Sequence, residues 1–249
     1  MTPKIGIIFR SYAKKPELVP EVVERAMKSI EQAMSIRFFN ISCFEHIFII
    51  VPIDYDCGST AEELEKRIQE ESLSSCVHVL SVRGHHSCEV LNSAMTKMGW
   101  YYIRFCLIMS HKAISYLTTE TMRKVIFALY QDFHVVGVRI KELNDVQDSP
   151  IQNTFAVWDM KTMPFNEKHQ WGFDSELGVE EVAPLIRLQK LYGKCAAVIN
   201  AEGSLDIRES EDGKARHKEV RDTKRALQEQ EAKRLGVTLD FVKENIVEL

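Results

Sequence analysis

Short apolar runs alternate with amphipathic stretches over the first 140 residues of the chain. Ile5 to Phe9 is β-branched at three of its five positions and reads as a buried strand. Val19, Val22, Val23, Ala26, Met27 and Ile30 then recur at i, i+3, i+4, i+7, i+8 and i+11, which lays one apolar face along a helix. A second strand is predicted over 46–53. It breaks at DYDCGST, and STAEELEKRIQEE opens a helix in which Thr60 and Glu63 stand at capping-box spacing. CVHVLSV (76–82) predicts a third strand. Leu91, Ala94, Met95 and Met98 predict a helix that Gly99 stops. The stretch from Trp100 to Met109 predicts a fourth strand, Met122 to Leu129 a helix, and HVVGVRI (134–140) a further strand.

Strand–helix alternation, with strands too apolar to be wet on either face, predicts an α/β fold: a mainly parallel sheet covered by helices on both faces. Past Ile140 the rhythm changes. TFAVWDM alternates like a half-exposed strand, and PFNEKHQWGFDSELG is a loop with aromatic residues. VEEVAPLIRLQKLYG predicts a helix. Its Pro184 fits only the first turn, so Glu180 and Glu181 lie at or just before the start. KCAAVIN (194–200) predicts a last strand. From Asp206 the chain carries 10 basic and 11 acidic residues, which predicts a solvated helix followed by a short amphipathic one ending at Leu249. That amphipathic end can dock on the main domain or on a second copy in a homo-oligomer.

A length of 249 residues suits one large domain, or one domain with an appendage. The net charge of -4 and pI near 6.1 leave no basic stripe and argue against a nucleic-acid partner. No run approaches the roughly 18 apolar residues of a transmembrane segment. MTPKIGIIFRSY is too short in its apolar part for a signal peptide. Cys43, Cys57, Cys76, Cys88, Cys106 and Cys195 show no CxxC spacing. They read as reduced thiols in a core, which points to the cytoplasm.

Four segments carry a resemblance in their order: IGIIFRSYAKKPE, IDYDCGSTAEEL, GHHSCEVLNSAMTKMGWYYIRF and GFDSELGVEEVAPLIRLQKLYGK. Together they resemble the nucleotide-sugar-dependent glycosyltransferases of the GT-A fold, especially family 2, over about residues 4 to 203. The resemblance implies a GT-A-like domain over 1–205 and a charged helical extension over 206–249. It also implies a UDP- or GDP-sugar donor and a glycan or other hydroxyl acceptor. It departs at the fourth strand. There the family carries an Asp-x-Asp motif that holds a divalent cation, and this chain reads Met109-Ser110-His111.

The resemblance places candidate residues at the carboxyl ends of the strands. Asp56, with Asp54, would hold the nucleoside, and Tyr55 could stack on its base. The plain alternative is a turn in which Ser59 or Thr60 caps a helix. Arg10 and Arg83 end strands one and three and suit diphosphate recognition. Ser110 and His111 replace the acids. Imidazole alone is a poor ligand for Mn²⁺ or Mg²⁺, which prefer hard oxygens, so no tightly held cation is expected. Lys112 or a protonated His111 could neutralise phosphate charge instead. Glu181, or Glu180, would deprotonate the acceptor. Trp171 and Asp174, with Trp158 and Phe173, lie where the family faces sugar or acceptor. The implied activity is glycosyl transfer. The rival expectation is an inactive binding module, and a nucleotidyltransferase ranks below both because FRSYAKKPE lacks glycine.

Overall fold

The computed structural model describes residues 4–83, 87–140, 151–163, 172, 173, 180–204 and 211–249, and for Ser87 and residues 211–222 it describes the backbone alone. The chain runs β1 (Ile5–Arg10), α1 (Val19–Ser35), a hairpin of β2 (Arg37–Phe38) and β3 (Ile41–Ser42), β4 (Phe44–Pro52), α2 (Thr60–Glu70), β5 (Val77–Val82), α3 (Ser87–Trp100) and β6 (Phe105–Met109). A 3-10 helix (His111–Tyr116) leads to α4 (Thr119–Tyr130), β7 (Val135–Arg139), β8 (Phe155–Asp159), α5 (Val182–Tyr192), β9 (Ala196–Asn200), α6 (Glu211–Arg234), α7 (Leu239–Glu244) and β10 (Ile246–Glu248).

Eight strands form one sheet in the order β10-β9-β7-β8-β6-β1-β4-β5. Only β8 runs antiparallel to its neighbours, β6 and β7; the other pairings are parallel. The pleat divides the strand side chains between two cores. Ile7, Phe9, Ile49 and Leu107 face the side covered by α1, α2 and α4. Ile8, Phe48, Ile50 and Ile108 face the side covered by α3 and α5. Each fully buried Ile, Leu or Phe contributes about 1.5–3 kcal/mol relative to exposure, so burial on both faces holds the layers. Gly6 marks the closest approach of a helix to the sheet: a Cβ there would lie 2.8 Å from Met98 Cε and 3.0 Å from Ile103 Cδ1.

Three expectations change. TFAVWDM is not half exposed, because β8 is inserted between β6 and β7 and all five of its residues are buried. Gly99 does not stop α3, which runs on to Trp100; the chain reverses only at Tyr102, whose φ of 55° is left-handed. The fourth strand therefore starts at Phe105, not Trp100.

The third change concerns the C-terminal segment. Gln228, Glu231 and Ala232 of α6 are buried, and Ala232 joins Leu239 and Val242 in the core beneath α5. The Gln189 side chain donates to the Val242 carbonyl at 2.9 Å. Ile246 and Val247 leave the helical pattern and add a parallel edge strand to β9. The last residues therefore dock on the main domain. Among the described residues no disulfide joins the six cysteines, and burial pushes the Cys43 thiol up to about 12 and Cys195 to about 11, as befits inert core thiols. No described helix is long and apolar enough to cross a membrane.

Candidate active site

Because β1, β4, β5 and β6 are parallel, their carboxyl ends share one rim, where ligands bind in open α/β sheets. Arg10 and Ser11 end β1, Asp54 and Asp56 follow β4, Arg83 follows β5, and Ser110 and His111 follow β6. The antiparallel β8 starts at the same rim: Met109 pairs with Phe155, and Ser110 N–H donates to the Thr154 carbonyl at 3.0 Å.

Asp56 ties the β1 loop to helix α2. Its carboxylate accepts from the backbone N–H of Ala13 (2.8 Å), Gly58 (3.0 Å) and Thr60 (3.2 Å), and from the Thr60 hydroxyl at 2.5 Å. The capping box does not form. Ser59 occupies the N-cap but its side chain makes no capping bond, and Asp56 supplies the acceptor that Thr60 was expected to be. Burial works to raise the Asp56 pKa, yet the hydrogen bonds from Thr60, Ala13 and Gly58 outweigh it and hold the carboxyl below its ordinary value. The stability this adds is present above about pH 4 and is lost as pH falls through the lowered pKa. Four donors fill the lone-pair positions of a carboxylate. Replacing Asp56 with alanine is therefore expected to lower stability by about 2–3 kcal/mol, measured by urea unfolding at pH 7. Wild-type stability in that variant would show the carboxylate is free for a nucleoside.

His111 is an internal strut. Its ring stacks on Phe9 at 4.8 Å and 11°, its Nε2 lies 2.6 Å from Ser11 Oγ, and its Nδ1 lies 2.8 Å from Ser29 Oγ. Both ring nitrogens are thus engaged by hydroxyls, linking β1, α1 and the end of β6. Burial, reinforced by the Arg25 charge, lowers its pKa to about 4. A ring shifted that far is neutral at pH 7. Ser110 accepts from the Lys112 N–H at 3.3 Å and so caps the 3-10 helix.

The two glutamates before α5 diverge. Glu180 meets Arg10, with Nη2 3.3 Å from Oε1. Glu181 turns inward as the N-cap residue of α5 and is fully buried. Lys224 of α6 lies 2.7 Å from its Oε1, Gln228 Nε2 donates to the same oxygen at 3.4 Å, and Oε2 is buried without a partner. Burial works to lower the Lys224 pKa. The Glu181 and Glu180 carboxylates more than offset it, and the ammonium is held above its ordinary value.

Between these groups lies a cavity of about 570 Å³. Arg10, Ser11, Ser110, His111 and Glu180 are on its wall, and so are Arg25 and Lys14 from α1 and the loop before it, Lys112, Asn153 and Lys224. Sequence reasoning missed Arg25, Asn153 and Lys224. Nothing in their local pattern marks them, since each reaches the wall only through the packing of its element. Asp54 and Arg83 are exposed and lie off the wall. Tyr12 and Tyr55 stand at the rim, half exposed, with ring centroids 6.1 Å apart. Trp171 and Asp174 lie outside the described residues, as do His85 and His86. Trp158 and Phe173 are core residues rather than sugar-facing ones. Both are fully buried, meeting edge to face at 5.3 Å, and Asn92 holds the Phe173 backbone by both its N–H and its carbonyl.

The donor set of the described residues does not suit a divalent cation. Among the described residues no three His, Cys, Asp or Glu side chains converge. The wall's two acids, Glu21 and Glu180, are each bonded to an arginine.

No protein-family model matches the chain, and no curated protein does. Solved structures match in shape. One is a mannosyltransferase from Pyrobaculum calidifontis, in complex with GDP-Man and Mn²⁺, at 11% identity and TM-score 0.55, covering 77% of this chain and 53% of that one. The chain thus spans about half the length of the mannosyltransferase. Another is 4-diphosphocytidyl-2C-methyl-D-erythritol synthase from Anaerococcus prevotii, at 14% identity and TM-score 0.53, covering 91% of this chain and 97% of that one. The fold is therefore α/β and GT-A-like: a mostly parallel central sheet flanked by helices, as in these nucleotide-using transferases.

Proposed function

We propose that the cavity is a transferase site that takes a UDP- or GDP-sugar and moves its glycosyl group to an acceptor hydroxyl. One observation carries the reading: a basic cavity at the carboxyl ends of β1 and β6 with a carboxylate, Glu180, on its wall. The acceptor oxygen attacks the anomeric carbon while Glu180 takes its proton. The bond from that carbon to the diphosphate breaks, and the departing negative charge meets Arg10 and Lys112. Glu180 is preferred to Glu181 because only Glu180 faces the cavity. The Tyr12 and Tyr55 rings offer apolar faces to the base.

A second reading, nucleotidyl transfer, is favoured by the end-to-end cover of the cytidylyl-type synthase. Against it stands the β1 turn, Arg10-Ser11-Tyr12-Ala13, without glycine. Incubation with UDP- and GDP-sugars, and in parallel with nucleoside triphosphates, distinguishes them. Glycosyl transfer releases a nucleoside diphosphate, whereas nucleotidyl transfer releases pyrophosphate from a nucleoside triphosphate. Glu180→Gln is expected to lower kcat about 100-fold or more, with little change in donor KM. Full activity in that variant would remove Glu180 from the role, and absence of any nucleotide binding would favour the non-catalytic module.

A further inference from the structure

We infer that this cavity binds a diphosphate group directly, through Lys112, Lys224 and the Asn153 amide, with no bridging divalent cation, and that helix α6 is thereby part of the site. The proposal rests on the transferase reading only for the identity of the molecule that carries the diphosphate.

Charge is the first argument. Among the described residues the wall carries Arg10, Lys14, Arg25, Lys112 and Lys224 against Glu21 and Glu180. Five positive charges less two negative leave three, and counting Glu181 behind Lys224 leaves two. The two phosphodiester-type groups of a nucleotide-sugar carry two negative charges. A cavity already positive by two needs no metal ion to neutralise that ligand. A divalent cation placed there alone would instead be repelled.

Asn153 supplies an independent argument. It is 6% exposed, and its Oδ1 accepts from the Trp158 indole N–H at 2.9 Å. Indole only donates, so this bond fixes which end of the amide is oxygen. Among the described residues the buried Nδ2 group has no partner, in a side chain that lines the cavity. Buried amide donors are ordinarily satisfied, and an unpartnered N–H suits an anionic oxygen and not a cation. Lys224 completes the set. Its Nζ is held at 2.7 Å by a carboxylate that is itself fully buried, so the ammonium is fixed in place with roughly a third of the side chain open, at 35%. The group that the sequence assigns to catalysis, Glu181, acts here as a positioning residue for that cation.

Calorimetric titration of the full chain with inorganic pyrophosphate, in EDTA and again with Mg²⁺, tests this. One site per chain is expected in EDTA, with no gain in affinity from Mg²⁺. Lys112→Met should weaken binding at least 10-fold. Lys224→Met alone leaves Glu181 buried without its cation, so the neutral pair Lys224→Met with Glu181→Gln is the variant to use. It should also weaken binding at least 10-fold while melting cooperatively. Binding that requires Mg²⁺, no binding in either buffer, or wild-type affinity in both variants overturns the proposal. Metal-free binding lost in the variants, without turnover of any nucleotide-sugar, supports it while sinking the transfer reading.

Discussion

Lys224→Met is expected to lower the melting temperature by roughly 10 °C, and adding Glu181→Gln to the same chain to restore most of that loss. The asymmetry follows from where each group sits. Glu181 is fully buried, and one of its oxygens has no partner among the described residues. Without Lys224 its remaining contact is the long bond from Gln228. Removing one partner of a buried ion pair costs about 3–5 kcal/mol, whereas replacing both is often neutral. Lys224 is partly open to the cavity, so about 2–4 kcal/mol is the sounder figure. In a chain of this size each kcal/mol moves the midpoint by about 2–4 °C. The coupling in the double-mutant cycle should then exceed about 1 kcal/mol. Additive single effects would mean that the two side chains do not act as a pair.

Stability should also fall as pH drops from about 6.5 to about 4, and a large part of that slope should vanish in His111→Asn. The sign follows from the direction of the shift. The His111 pKa is about 4 in the folded chain against an ordinary 6.5. Above pH 6.5 neither state is protonated and this group adds no slope. Between the two values the unfolded chain binds a proton that the folded chain does not, so unfolding is favoured. Below about 4 both states carry it. A shift of this size corresponds to about 3 kcal/mol at most. His46, His78 and His134 are lowered as well, mainly by burial, so the measured quantity is the difference between wild-type and variant slopes in urea unfolding from pH 7 to 4.5. Parallel slopes would mean that the His111 ring does not resist protonation. The variant will also be less stable at pH 7, because the Phe9 stack and both hydroxyl contacts disappear.

The sheet was legible because its strands are continuous apolar runs whose neighbours are helices of clear periodicity. The strands predicted at Ile5 to Phe9, at 46–53 and up to Met109 needed no tertiary information to be found, although the last begins only at Phe105. The strand at Phe155 misled because its alternation reflects two different cores, one on each face, rather than core and solvent. Gly99 misled because a helix with enough buried contacts, here Met95 and Met98, tolerates a glycine near its end. For the site, parallel strands bring Arg10, Ser110 and His111 to one rim, and sequence order alone can say that. It cannot say which of two adjacent glutamates faces inward, since that depends on the entry angle of α5. Nor can it single out Lys224 within a segment where nearly every second residue is charged. Nor can it show that the Asp56 carboxylate ties Ala13, Gly58 and Thr60 together, because turn acids look alike until their hydrogen bonds are counted.

The arrangement of the carboxyl-terminal segment has a mechanical consequence. Lys224 sits ten residues before the end of a helix, about 15 Å along its axis, and that helix is fastened beyond it by β10, laced into the margin of the sheet. The sheet's outer selvage and the cavity wall are therefore joined by a single unbroken stretch of chain, from Lys224 through α7 to Glu248.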